Sequence, residues 1–71
     1  MLTAERIKEL RCNLKLSMRG FARALKISSS TFSYYESGKR LPSLETCYKI
    51  IRYSKEHGID VDINYLRPNE F

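Results

Sequence analysis

The stretch from Ser17 to Pro42 constrains the fold more than any other part of this chain. Its spacing of apolar residues predicts two short helices that are joined by a tight turn and followed by a Ser-Gly-Lys-Arg segment. One set of apolar residues lies where the two helices must pack together: Phe21, Ala22, Leu25, Ile27, Phe32 and Tyr35. Small polar residues lie where the second helix would face outward: Ser29, Ser30 and Ser33. A helix that buries one side and presents short hydrogen-bonding groups on the other is suited to a groove of DNA.

Length and charge agree with this interpretation. Seventy-one residues predict one domain, residues 1–71, with a small core. The net charge of +5 is uneven, because residues 1–40 hold nine Lys or Arg against three Glu, whereas residues 41–71 hold four against five acidic residues. A basic half favours a polyanionic partner, although many small proteins are basic without binding one.

No run of 18 apolar residues is present, so we predict no transmembrane helix and a cytoplasmic location. Cys12 and Cys47 have no CxxC spacing, and we expect both to be reduced and to act as small core hydrophobes. His57 is the only histidine and has no partner with ligand or catalytic spacing. We therefore predict no metal, no cofactor, no catalytic residues and no enzymatic activity.

The hydrophobic spacing predicts an all-α domain of five short helices. These helices span Thr3–Asn13, Met18–Leu25, Ser29 to about Glu36, Leu44 to about His57, and Ile63–Leu66. The predicted N-caps are Thr3, Ser17, Ser28, Ser43 and Asp62, and Gly38 and Gly58 are predicted to end the third and fourth helices. The expected buried face of the fourth helix consists of Leu44, Cys47, Ile50 and Ile51.

Three motifs resemble the phage lambda repressor and Cro family, the XRE-type helix-turn-helix proteins. They are ERIKELR (residues 5–11), FARALKIS (residues 21–28) and STFSYYESGKRLPSLET (residues 30–46), and the similarity extends over about Glu5 to Leu66. The resemblance implies a compact five-helix lambda-repressor-like domain. It also implies a homodimer that places one recognition helix in each of two successive major grooves of double-stranded DNA, about 34 Å apart.

The resemblance assigns roles by position. It implies base contacts from the recognition helix, at Ser29, Ser30, Ser33 and Tyr34. It implies phosphate contacts at Ser17, Met18, Ser28, Lys39 and Arg40. We add Arg19 and Arg23, which lie four residues apart on the second helix, as candidate backbone contacts whose alternative is a solvated face. A further matched pair, Arg11 and Glu36, is expected to form a structural ion pair between the first and third helices.

The chain departs from the family pattern at three places. Met18 replaces a common Gln, so its side chain cannot bind phosphate. Lys26 replaces a common Gly at a turn position that needs a positive φ, which implies a strain of about 1 kcal/mol. The outward face lacks the Arg, Gln and Asn that make bidentate base contacts. We therefore expect modest direct readout, with Tyr34 as the main anchor and DNA shape supplying more of the specificity.

The last segment, residues 59–71, carries more apolar surface than a tail needs, and we expect it to form the dimer interface. The residues concerned are Ile63, Tyr65, Leu66 and Phe71. The predicted function is a sequence-specific transcriptional repressor of bacterial or phage origin that binds a palindromic operator as a homodimer, with no small-molecule ligand and no membrane contact. The alternative is an antitoxin-like or protein-interaction module, which would bind a partner protein and recognise DNA only weakly.

Overall fold

Five α-helices make up most of residues 2–68, the part of the chain that this computed structural model describes. They are α1 (Leu2–Asn13), α2 (Met18–Leu25), α3 (Ser29–Ser37), α4 (Leu44–Glu56) and α5 (Ile63–Leu66). Residues 2–68 contain no β-strand, and the predicted all-α class with five helices is confirmed.

Side-chain caps begin four of the helices at the predicted residues. The hydroxyl or carboxylate oxygens of Ser17, Ser28, Ser43 and Asp62 each accept a hydrogen bond from the backbone N–H three residues later, at 3.0–3.2 Å. Such bonds satisfy one of the four N–H groups that a helix start leaves without an intrahelical partner. The expected cap at Thr3 is wrong, because α1 begins at Leu2 and Thr3 lies buried within the helix.

The core lies where α2 and α3 meet α1, α4 and α5. The rings of Phe21 and Phe32 meet edge to face with centroids 5.3 Å apart, and the Tyr53 ring lies 5.8 Å from Phe21. These contacts join α2, α3 and α4. The buried apolar side chains of the cluster are Ile7, Leu10, Phe21, Ala22, Leu25, Phe32, Tyr35, Cys47, Ile50 and Leu66. Because α2 and α3 bury their apolar sides here, their polar sides are left toward solvent.

The buried face of α4 is rotated from the expected one. It is formed by Cys47 and Ile50 together with Thr46 and Ser54. Leu44 is 41% exposed and Ile51 is only partly buried, so the prediction for Leu44 is wrong. Periodicity locates a stripe to within about one residue, or about 100° of rotation, and only the neighbouring helices decide which edge of it is covered.

The two cysteines differ in their environments. Cys47 is fully buried, and burial raises the pKa of its thiol. Cys12 is exposed, so its expected place in the core is wrong. It lies on α1 two residues after the buried Leu10, and that spacing turns it to the opposite side of the helix. No helix within residues 2–68 has the length and apolar content needed to cross a membrane.

The short helix α5 packs against α1 and α4 of its own chain. Leu66 is completely buried, and its carbonyl accepts a 2.6 Å hydrogen bond from the Thr3 hydroxyl. Arg6 donates to the Tyr65 carbonyl at 2.8 Å and lies 4.7 Å above the Tyr65 ring. The expectation that Leu66 is exposed in a monomer is therefore wrong, because α1 covers it. Ile63 and Tyr65 are half-buried, and Phe71 lies outside the described residues.

Two lysines adopt left-handed backbone conformations. Lys26, at the end of α2, has φ of 59°, as its turn position requires, and its N–H donates to the carbonyls of Ala22 and Arg23. Lys15, between α1 and α2, has φ of 60° and was not predicted. A left-handed conformation brings Cβ too close to the neighbouring backbone, so both positions are strained for a residue other than glycine.

We predict that Lys26→Gly raises the free energy of unfolding by about 0.5–1 kcal/mol, because relief of the left-handed strain exceeds the added entropy of the unfolded chain. Urea unfolding measures the change. Lys26→Ala is the matched control, because it removes the same charge but keeps the Cβ, and it should bring no gain. A Lys26→Gly protein less stable than Lys26→Ala would contradict the strain.

Candidate DNA-binding surface

The α2–turn–α3 unit is held rigidly by its own hydrogen bonds. The Ser17 hydroxyl caps α2 at Gly20, and the Ile27 N–H returns to the Ala22 carbonyl at 3.0 Å across the turn. The Ser28 hydroxyl accepts from the Thr31 N–H and donates to the Thr31 hydroxyl at 2.8 Å. The hydroxyls of Ser17 and Ser28 are thus committed to the caps, and what these positions offer a phosphate is backbone N–H groups at the two helix starts.

The outer side of α3 carries hydroxyl groups with no intramolecular role. Ser29 and Ser30 are exposed and Ser33 is partly exposed. Within residues 2–68 none of these three hydroxyls takes part in a hydrogen bond. Tyr34, the next residue along, is 41% exposed although it is a large aromatic side chain. This side of α3 is therefore free to hydrogen-bond to a ligand.

The loop after α3 is folded back onto the end of that helix. The N–H groups of Lys39 and Arg40 both donate to the Tyr34 carbonyl, at 3.0 and 3.3 Å. Gly38 adopts the left-handed conformation, with φ of 82°, that makes this turn possible. The Lys39 ammonium lies 5.8 Å from the centroid of the Tyr34 ring. Two exposed cations are thereby held beside the exposed tyrosine.

Cations also border the start of α3. Arg19 and Arg23 are exposed on α2, and with Ala22, Ile27 and Ser29 they line an open depression between α2 and α3. Residues 17–42 hold five Lys or Arg but only one carboxylate, Glu36. That carboxylate is 7% exposed and neutralised by Arg11, so it does not offset the cations at the surface. The serine side of α3 thus has cations at both ends.

Arg11 connects α1, the loop after it and α3. Its Nε donates to Glu36 Oε2 at 2.6 Å, its Nη2 to Oε1 at 3.4 Å, and its Nη1 to the Leu16 carbonyl at 2.9 Å. The hydrogen bond with Glu36 raises the pKa of Arg11. The structure thus brings together the two residues of the expected ion pair, and their bonds set the position of α3 against α1.

Met18 offers only its backbone to a phosphate, as the replacement of the common Gln implies. Its side chain is half-buried and packs against the core cluster. It therefore makes no polar contact at the surface, and only its backbone N–H is available to an anion.

The contact of Arg6 with Tyr65 of α5 was not predicted from the sequence. Helical spacing places Arg6 outside the apolar stripe of α1, and nothing else in the sequence marked it.

Two short helices joined by a hydrogen-bonded turn, with a free polar face on the second and cations around it, define a DNA-binding helix-turn-helix domain. The chain belongs to the helix-turn-helix family of XRE type, whose sequence model matches residues 7–53. The five-helix arrangement fits the lambda-repressor-like fold of that family, and the family is one of DNA-binding transcription regulators. No curated protein and no solved structure matches the chain.

Proposed function

We propose that this protein is a transcriptional repressor that binds a palindromic operator as a homodimer, with α3 in the major groove. The observation that carries the proposal is the unbonded hydroxyl side of α3 with exposed cations at both of its ends. Base edges in the major groove present both donors and acceptors, and a serine hydroxyl can pair with either. Cations at both ends would neutralise the phosphates on the two sides of the groove.

The contacts divide into two classes in this proposal. Base contacts come from Ser29, Ser30, Ser33 and Tyr34. Phosphate contacts come from the side chains of Arg19, Arg23, Lys39 and Arg40 and from the backbone N–H groups near the starts of α2 and α3. Phosphate contacts fix the register of the protein on the duplex, and base contacts supply sequence discrimination.

The base contacts of this surface would distinguish one DNA sequence from another only weakly. A hydroxyl pairs with any base, whereas bidentate contacts from Arg, Gln or Asn distinguish one base pair from another. Met18, packed on the core, adds no phosphate clamp. We therefore propose that sequence-dependent DNA shape and deformability supply a large share of the specificity.

We predict that the protein binds a duplex from the region upstream of its own gene at least about 10³-fold more tightly than a scrambled duplex. Fluorescence anisotropy over a series of salt concentrations measures both affinities, and log affinity should fall linearly with log salt. Replacing Lys39 and Arg40 together by Gln should reduce the steepness of that dependence by about 2, because each of the two cations neutralises one phosphate.

Lys55→Gln is the control for charge, because Lys55 is exposed near the end of α4, outside the proposed surface. It should leave the salt dependence unchanged. Equal affinity for the two duplexes would reject a sequence-specific regulator and favour the protein-interaction alternative.

A reporter gene placed downstream of the upstream region tests repression directly. Expression should fall in the presence of the protein, and increased expression would reject the repressor role.

A further inference from the structure

An apolar stripe on α4 is left uncovered by the fold. Leu44 and Tyr48, one helical turn apart, are 41% and 51% exposed, and Ile51, in the next turn on the same side, is only partly buried. Leu41, in the segment just before α4, is 48% exposed. We call these four residues the α4 patch. Single exposed apolar residues are common, but an uninterrupted stripe of them marks an interaction surface.

The α4 patch is distinct from the side of α4 that forms the core. The buried side is centred on Cys47, Ile50 and Ser54. At about 100° per residue, the stripe of Leu44, Tyr48 and Ile51 is centred about a quarter of a turn away from it. Leu44 and Tyr48 therefore take no part in the core cluster, whereas Ile51, at the edge of the stripe, packs against it with part of its side chain.

Charges beside the α4 patch are arranged so that one copy complements another. Glu45 and Arg52 are exposed on either side of Tyr48 along the helix. They are seven residues apart, about 10 Å along the axis, which is too far for them to pair with each other. Neither takes part in an ion pair within residues 2–68. In two antiparallel copies of α4 related by a two-fold axis near Tyr48, Glu45 of each copy would face Arg52 of the partner subunit.

The position of the α4 patch and the single α3 of each copy also favour a second copy as the occupant. Leu41 directly follows Arg40, so the α4 patch begins at the edge of the proposed DNA-binding surface. One copy has a single α3, so a second copy is needed to fill the second of two major grooves about 34 Å apart. The need for a second copy rests on the proposed function, because the two half-sites belong to it.

We infer that the α4 patch is the homodimer interface, with α4 packed antiparallel on α4 of a second copy and a Glu45–Arg52 pair at each end. The interface is formed by Leu41, Leu44, Tyr48 and Ile51, and it replaces the last segment, whose central residue Leu66 is committed to the core. Four apolar side chains and one charged pair per copy make a small contact for a dimer, so we expect weak association that is seen only at higher protein concentrations.

Sedimentation without DNA tests the interface. Wild type should shift from monomer to dimer as concentration rises, and Tyr48→Asp should remain a folded monomer by circular dichroism. Asn13→Asp, an exposed change of the same charge on α1, should dimerise as wild type does. Wild type that stays monomeric at every concentration would overturn the inference, and so would a Tyr48→Asp protein that dimerises normally.

A charge exchange gives the sharper result. Glu45→Arg alone and Arg52→Glu alone should each be monomeric, because like charges then face each other at both ends of the interface. An equal mixture of these two variants should form a heterodimer, since every facing pair is again opposite in charge. A mixture that remains monomeric, or single variants that dimerise fully, would show that α4 does not pair in this way.

The outcomes separate this inference from the proposed function. If the inference is correct, Tyr48→Asp should bind a scrambled duplex with about the same affinity per chain as its charge-matched control Asn13→Asp, and it should lose the preference for the upstream duplex. If the protein dimerises through the α4 patch but shows no preference between duplexes, the proposed function fails and the interface stands. If the preference exists and Tyr48→Asp retains it in full, the interface fails and the function stands.

Discussion

Glu36→Ala is expected to lower the free energy of unfolding by about 3 kcal/mol, because it leaves the Arg11 guanidinium without its counter-ion. The two side chains are 15% and 7% exposed, so water replaces the missing carboxylate poorly. Arg11 cannot relieve the cost by losing its proton, since arginine stays protonated in proteins. The value lies toward the lower end of the usual range for buried pairs because Arg11 keeps its bond to the Leu16 carbonyl and some contact with water.

Thermal unfolding measures this effect. For a domain of this size, about 3 kcal/mol corresponds to a fall in Tm of roughly 10–25 °C. Glu56→Ala, an exposed carboxylate on α4, is the matched control and should change Tm by only a few degrees. Replacing both partners, as Arg11→Met with Glu36→Leu, should recover much of the stability because no buried charge is then stranded. A Glu36→Ala melt that coincides with that of Glu56→Ala would show that the pair contributes little.

Leu66→Asp is expected to unfold the protein instead of separating a dimer. Leu66 is fully buried, and truncation of such a leucine to alanine costs about 2–5 kcal/mol. Aspartate adds the penalty of an unpaired charge in an apolar site. The total stability of a 71-residue domain is roughly 4–10 kcal/mol, so the sum of these penalties leaves little or no folded protein.

Circular dichroism and sedimentation together distinguish unfolding from dissociation. An unfolded Leu66→Asp chain loses its helical signal and sediments as an expanded particle, whereas Tyr48→Asp keeps both its helices and its compact form. Leu66→Ala should remain folded with reduced stability. A compact, helical Leu66→Asp monomer with the wild-type Tm would mean that this leucine faces solvent.

Local features could be predicted from the sequence because their causes lie within a few residues. The caps at Ser17, Ser28, Ser43 and Asp62 depend on a side chain and an N–H group three positions away. The left-handed Lys26 was anticipated only from its place in the family motif, because nothing in the local residues favours it. Lys15 was missed, because neither its local residues nor the resemblance indicated a left-handed conformation in the connection between α1 and α2.

Contacts between residues far apart in the sequence could not be predicted from local patterns. Arg11 and Glu36 are 25 positions apart, and only the resemblance to a known family suggested that they meet. Thr3 and Leu66 are 63 positions apart, and the motifs contain no sign of their hydrogen bond. The errors at Leu44 and Leu66 share one cause, since each depends on which helix covers a given side of another. The errors at Thr3 and Cys12 are local, because α1 begins one residue earlier than expected and Cys12 lies on the opposite side of α1 from Leu10.

The sequence by itself determined the helices, the starts of α2 to α5, the turn between α2 and α3 and the polar character of the outer side of α3, because backbone hydrogen bonding and hydrophobic spacing are local properties. Only the tertiary structure decided that α5 is covered by α1 and that Leu44 and Tyr48 remain exposed. Burial depends on how helices pack around one small core, and a stripe of apolar residues does not specify which neighbour, if any, will cover it.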